Sequence, residues 1–213
     1  MINTSMNVQP SASRDGVSTL SQLITEIKCC QLCRAHLPPD ARPIIQAATQ
    51  AKILLAGQAP GRAANQTGVP FNDASGERLR QWLGVSHEQF YDEQLFAILP
   101  MAFCYPGKGK NGDLPPRPEC ADMWRQQLLS QLTQIKLTLV MGQYAQAYHC
   151  PTPKGSVALT LTQRVRNSCT AQDAVLPLPH PSPLNNRWLK ANPWFGSEVL
   201  PTLKQRVAEI LAG

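Results

Sequence analysis

The residues with the most chemistry in this chain are its cysteines. Cys30 and Cys33 form a Cys-Gln-Leu-Cys pair, and Cys104 and Cys120 flank the loop YPGKGKNGDLPPRPE (105–119). Two such pairs of thiolates can hold a zinc ion or an iron–sulfur cluster. They can equally be scattered buried thiols, since free cysteine packs as a small hydrophobe. Cys29 adjoins Cys30, but neighbours on a helix point in different directions, so only one of them can share a face with Cys33. The C-x-x-C spacing favours Cys30. Cys150 and Cys169 have no paired neighbour and read as structural.

A second concentration follows the apolar run KILLAG (52–57). The run stops at Gly57, gives way to Gln58-Ala59-Pro60-Gly61, and a polar loop then leads to Gly68-Val69-Pro70-Phe71. Backbone N–H groups at a glycine turn ahead of a helix suit an anion or a polar ligand edge. Phe71 adds an aromatic face. His180-Pro181-Ser182-Pro183 adds an imidazole and a hydroxyl late in the chain.

The elements that must position these groups can be read from the apolar periods. Leu20, Leu23, Ile24 and Ile27 recur at helical spacing behind Ser18 or Thr19 as N-cap. The stretches 52–57, 95–103, 136–142 and 174–179 are short apolar runs of the kind expected for strands buried on both faces. Helical patterns are predicted over 75–85 (capped by Ser75), over 117–132 with Pro118 in the first turn, and over 197–212. Strands alternating with helices imply a parallel α/β sheet covered on both faces. In such sheets ligands sit beyond the carboxyl ends of the strands. Three of those ends carry unusual sequences: GQAPG, CYPG and PHPSP.

With 213 residues the chain suits one medium domain. Residues 1–16 are polar, without an apolar period, and read as a disordered tail. No secretory segment and no run of membrane-spanning length is present, so a cytoplasmic, monomeric protein with no membrane partner is expected. There, cysteines are more often reduced, metal-bound or catalytic than disulfide-bonded. The net charge of +6 permits an anionic partner such as nucleic acid without requiring one.

Taken together, the order C-x-x-C, G-Q-A-P-G, G-V-P-F, C-x15-C and H-P-S-P resembles the uracil-DNA glycosylase superfamily, most closely its family 4 type with an iron–sulfur cluster. The resemblance runs from about Cys30 to the C-terminal helix. It implies one three-layer α/β/α domain over 17–213 with a central, mainly parallel four-stranded sheet. It also implies that Cys30, Cys33, Cys104 and Cys120 hold a [4Fe-4S] cluster, zinc being the alternative. Gly57, Gln58, Ala59, Pro60 and Gly61 match the first active-site motif, Phe71 the aromatic that stacks on an extruded uracil, and His180 the histidine that contacts the pyrimidine carbonyl. Ser182 belongs to the same late motif. The implied partner is DNA containing a damaged base, and the implied reaction is hydrolysis of its N-glycosidic bond. Leu184 could wedge into the base stack or pack on its own helix.

Two positions depart from the family pattern. Gln58 stands where family 4 has Glu, and an amide cannot serve as a general base. Pro100 stands where the relatives place an Asn that reads the base edge, and Pro has no polar side chain. Asp73 is a replacement carboxylate or a helix cap. Asn72 could supply amide recognition. The loop 105–119 holds no histidine, which argues against the covalent trapping of one branch of the superfamily. Lys108, Lys110 and Arg187 could contact phosphates or simply be solvated, as could Lys190. A non-cleaving module that binds nucleic acid or a nucleobase-like ligand is the alternative function. A metal-stabilised structural or redox protein is the third.

Overall fold

The computed structural model describes residues 18–110, 112–153, 155–168 and 173–213; the expected tail and Cys169 lie outside the described residues. In chain order the elements are α1 (Leu20–Lys28), β1 (Ile53–Ala56), α2 (Arg62–Thr67), α3 (Ala74–Leu83), α4 (His87–Tyr91), β2 (Phe96–Ile98), β3 (Lys108–Gly109) and β4 (Gly112–Asp113). They continue with α5 (Pro118–Gln131), β5 (Leu137–Met141), α6 (Gln143–His149), α7 (Leu161–Asn167), β6 (Val175–Leu178), α8 (Asn186–Ala191) and α9 (Leu200–Ala212).

Strands β2, β1, β5 and β6 lie side by side in that order, all parallel, in registers such as Leu54↔Ala97, Leu55↔Leu139 and Leu139↔Leu176. Side chains alternate across a strand, so β1 feeds two cores. Ile53 and Leu55 point into one built with Leu79 and Leu83 of α3 and Leu203 and Val207 of α9. Leu54 points into the other, with Leu23 and Ile27 of α1 and Trp124 and Leu128 of α5. The result is the α/β/α layering expected from the apolar runs. Among the described residues no helix is long and apolar enough to cross a membrane.

Several expected boundaries move. The second strand keeps regular pairing only over Phe96–Ile98 and not to residue 103, because Pro100 cannot donate to a ladder. The chain nevertheless follows the end of β1: the N–H groups of Leu99, Met101 and Ala102 donate to the carbonyls of Leu55, Gly57 and Gln58 at 2.9–3.0 Å. Helix α3 is capped by Asp73 and not by Ser75. The predicted first helix ends at Lys28, so the Cys30–Cys33 pair lies just beyond it.

The guanidinium of Arg125, on α5, is buried and holds the end of β2. Its Nη1 donates to the carbonyls of Leu99 (2.8 Å) and Pro100 (3.1 Å), and its Nη2 lies 2.6 Å from His149 Nε2. Burial lowers the Arg125 pKa to about 10, which still leaves it charged near neutrality. Burial, and then the Arg125 charge, lower the His149 pKa to about 4, so this imidazole is neutral and accepts the bond.

Candidate active site and cysteine cavity

The carboxyl ends of all four parallel strands open into one cavity of about 470 Å³. Its walls include Gly57–Gly61 after β1, Pro100 after β2, Gln143 and Tyr144 after β5, and His180, Ser182 and Leu184 after β6. Phe71 and Asp73 close one side, and Asp113 and Leu114 from the β3–β4 hairpin close another.

Phe71 owes its place to a strained turn. It is the one described non-glycine residue with positive φ, +54°, a region costly for a bulky side chain. The turn closes so tightly on α3 that a Cβ on Gly76 would stand 1.7 Å from the Phe71 carbonyl oxygen. The ring meets Phe90 edge-on at 6.2 Å, and its Cζ lies 3.7 Å from where a Gly57 Cβ would be. Tyr91 steadies the approach by donating its hydroxyl to the Pro70 carbonyl at 2.9 Å.

Asp73 caps α3: its Oδ1 accepts from the Gly76 N–H at 2.9 Å. Its Oδ2 remains, 3.8 Å from the Cβ position of Gly61. The cap and the pocket carboxylate are therefore the same side chain, using different oxygens. Asp113 repeats the arrangement from the opposite side. Its Oδ1 accepts from the buried Tyr105 hydroxyl at 3.4 Å, while its Oδ2 stands 4.0 Å from the same Gly61 position.

The backbone N–H of Ser182 donates to His180 Nδ1 at 3.2 Å. Nδ1 is thus an acceptor, and the neutral ring carries its proton on Nε2. Burial pushes the His180 pKa below its ordinary value, with the Asp73 charge pulling partly back, which keeps the ring neutral and places the two side chains within electrostatic reach. Two ties hold the loop: Asn185 Nδ2 donates to the His180 carbonyl at 2.8 Å, and Arg78 of α3 donates to the Ser182 carbonyl at 3.2 Å.

The cavity thus gathers Gly57, Gln58, Ala59, Pro60, Gly61, Phe71, Asp73, His180, Ser182 and Leu184. Leu184 is 83% exposed at the rim, in the Pro183–Asn185 turn. Asn72, Lys108, Lys110 and Arg187 are exposed and are not among the lining residues. Asp113, Gln143, Tyr144 and Asn185 line the cavity without having been singled out in the sequence. The Gly112-Asp113 step between two lysines and a proline run was the one available signal for the hairpin carboxylate.

A second cavity, about 250 Å³, is lined by Cys30, Cys33, Cys104 and Cys120 but not by Cys29 or Cys150. Phe103 N–H donates to Cys120 Sγ at 3.4 Å. Burial, then the neighbouring thiols, push the pKa of Cys104 up to about 11; burial, with the same neighbours, takes Cys120 to about 12. Cys33 is raised by burial and by Glu119, which Arg117 in turn pairs. Raised so far, Cys104 and Cys120 are neutral thiols near pH 7, and a bound metal would be needed to hold them as thiolates. Among the described residues no three His, Cys, Asp or Glu side chains are grouped so as to hold a single metal ion. Four cysteines lining one cavity are a donor set that either zinc or an iron–sulfur cluster uses.

The family model described as the Uracil DNA glycosylase superfamily matches residues 45–204, which contain every residue lining the active-site cavity except Ile44. The chain belongs to the uracil DNA glycosylase superfamily. Cys104 and Cys120 fall inside the matched span of the superfamily, whereas Cys30 and Cys33 precede it. A solution NMR structure of a candidate uracil DNA glycosylase from Methanosarcina acetivorans is also similar to this chain. The two share 14% identity over 75% of this chain and 93% of that one, with a TM-score of 0.48.

Proposed function

We propose that this superfamily member removes a deaminated base, uracil or a relative, from DNA by hydrolysing its N-glycosidic bond. The observation that carries the reading is the union, in one cavity, of the Phe71 ring, the Nε2–H of a neutral His180 and the free carboxylate oxygen of Asp73.

A base inside a duplex is out of reach, so it must be turned out into the pocket. There it stacks on Phe71. The C1′–N bond breaks with its electron pair going to the base, which leaves as an anion. His180 Nε2–H donates to the base carbonyl where that charge gathers, and a neutral donor does so without first protonating the base. The sugar becomes oxocarbenium-like. Asp73 Oδ2 offsets that cation and takes the proton of the water that adds to C1′. Gln58 cannot take a proton, so the working carboxylate has moved from the glycine turn to the cap of α3. Leu184, exposed at the rim, fills the gap left in the stack.

Cys30, Cys33, Cys104 and Cys120 would hold a [4Fe-4S] cluster of the family 4 type. When bound it supplies a cross-link between the segment after α1 and the start of α5, and a one-electron couple. No step of the cleavage passes through it.

The test is alkali-induced strand scission after incubation with single- and double-stranded oligonucleotides carrying uracil, hypoxanthine or xanthine. Absence of scission with all three overturns the reading and leaves a binding module.

A further inference from the structure

We infer that the side chain of Gln58 reads the edge of the bound base and that Gly142 holds it in reading position; this rests on the cavity being a nucleobase pocket. Gly142 lies between β5 and α6 with φ +86°, where side chains are strained. A Cβ there would meet Gln58 Cγ at 2.6 Å, Cδ at 2.7 Å and Nε2 at 2.9 Å. The Gln58 side chain therefore occupies the space that a side chain at residue 142 would take, and Gly142 leaves that space open. The main chain of Gln58 is held as well, its carbonyl accepting from Ala102 N–H at 3.0 Å.

Gln58 is half-buried and lines the cavity, and its carboxamide has no hydrogen-bond partner among the described residues. The neighbouring amides are used: Gln146 donates to the Leu178 carbonyl at 3.3 Å, and Asn185 to that of His180 at 2.8 Å. An amide with a free donor and a free acceptor, on a residue that lines the cavity, is set to pair with what enters it. The end of β2 cannot do this work, because Pro100 offers only a carbonyl, and Arg125 already occupies it.

An amide accepts from a ring N–H and donates to the adjacent carbonyl. That is the lactam edge shared by uracil, hypoxanthine and xanthine. A freely turning amide would equally accept the reversed edge of cytosine. A side chain at residue 142 would displace Gln58 Cγ, Cδ and Nε2, so glycine there lets the amide keep the orientation it has. Gly142 is thus a positioning residue for specificity, acting through Gln58.

The probe is a single-stranded oligonucleotide carrying one 2′-fluoro-2′-deoxyuridine, which resists cleavage, compared with the 2′-fluoro-2′-deoxycytidine strand. A bidentate amide pair corresponds to a preference of about 5- to 150-fold in Kd for wild type. Gln58→Ala and Gly142→Ala should each abolish it, and the double variant should do no more than either. The strain of Ala at residue 142 should lower Tm in both backgrounds, while its effect on base preference appears only where Gln58 is present. Should Gly142→Ala fail to fold, Gln58→Leu, similar in size and without polar atoms, decides. Preference retained by Gln58→Ala or Gln58→Leu overturns the inference, as does a Gly142→Ala effect of equal size with and without Gln58. Scission of the unmodified uracil strand is measured in parallel. Base-selective binding without scission removes the glycosylase reading and keeps this one; scission by a wild type that binds both probes equally does the reverse.

Discussion

Gly76→Ala is the substitution for which two lines of reasoning give opposite signs. Gly76 lies in the first turn of α3, and helix propensity alone says that Ala there should stabilise by about 0.5–1 kcal/mol. The Phe71 turn says otherwise. The new Cβ would stand 1.7 Å from the Phe71 carbonyl oxygen, 2.7 Å from its carbonyl carbon and 2.8 Å from its Cβ. These are the backbone and root of the stacking residue, not the far end of a flexible chain. Relief needs a shift of roughly 1.5 Å, and overpacking of this kind costs about 1–3 kcal/mol. Phe71 is already in a strained region of φ, so the turn has few other conformations to adopt. Displacing a positioning group by about 1 Å can lower the rate about 100-fold. Gly76→Ala should therefore lower both Tm and kcat/KM, the latter about 100-fold on uracil-containing DNA. Phe71→Ala should lose about 1–3 kcal/mol of base stacking with little loss of fold stability. Thermal unfolding and steady-state scission kinetics measure the two. A Gly76→Ala protein of raised Tm and full activity would refute the account of the turn.

The remaining predictions concern other parts of the molecule. His149, whose pKa falls from 6.5 to about 4 on folding, should make stability decline as the pH drops from about 6.5 to about 4. Over that window the unfolded chain binds a proton that the folded one refuses. The loss, discounted for partial exposure, is roughly 2–3 kcal/mol and should vanish in His149→Gln, as followed by denaturant unfolding across pH. Asp73→Asn keeps an N-cap acceptor but removes the carboxylate; Tm should change little while cleavage falls about 100-fold or more, and an unchanged rate would move the catalytic role elsewhere. Protein prepared anaerobically should carry about four iron atoms and four acid-labile sulfides per chain, lost in Cys120→Ala, whereas one zinc per chain would replace the cluster proposal. Leu184→Ala should leave Tm within experimental scatter and slow excision from duplex more than from single strands, because only the duplex has a stack to fill.

How much of this was legible in the sequence depends on the range of the interactions. The four buried strands could be read because their apolar runs are continuous, a property of the chain itself. The cysteine pairs, the glycine turn, Phe71 and His180 could be read because their types and spacing are also local. Helices α2, α4, α6, α7 and α8 escaped, being five to seven residues long, too short for an apolar period to declare itself. Strand β2 is shorter than its apolar run, because the run does not reveal where Pro100 ends the ladder. Residue type alone cannot divide Asp73 between cap and carboxylate, since only the fold shows that one oxygen caps α3 while the other lies near Gly61. The sequence by itself determined the layered sheet and which residue types would stand at its carboxyl edge. Tertiary structure alone decided that Asp113 returns to that edge from a hairpin and that the chain at Gly142 leaves space for Gln58. Those are contacts between segments far apart in the chain, set by how the layers pack, and no local pattern encodes them.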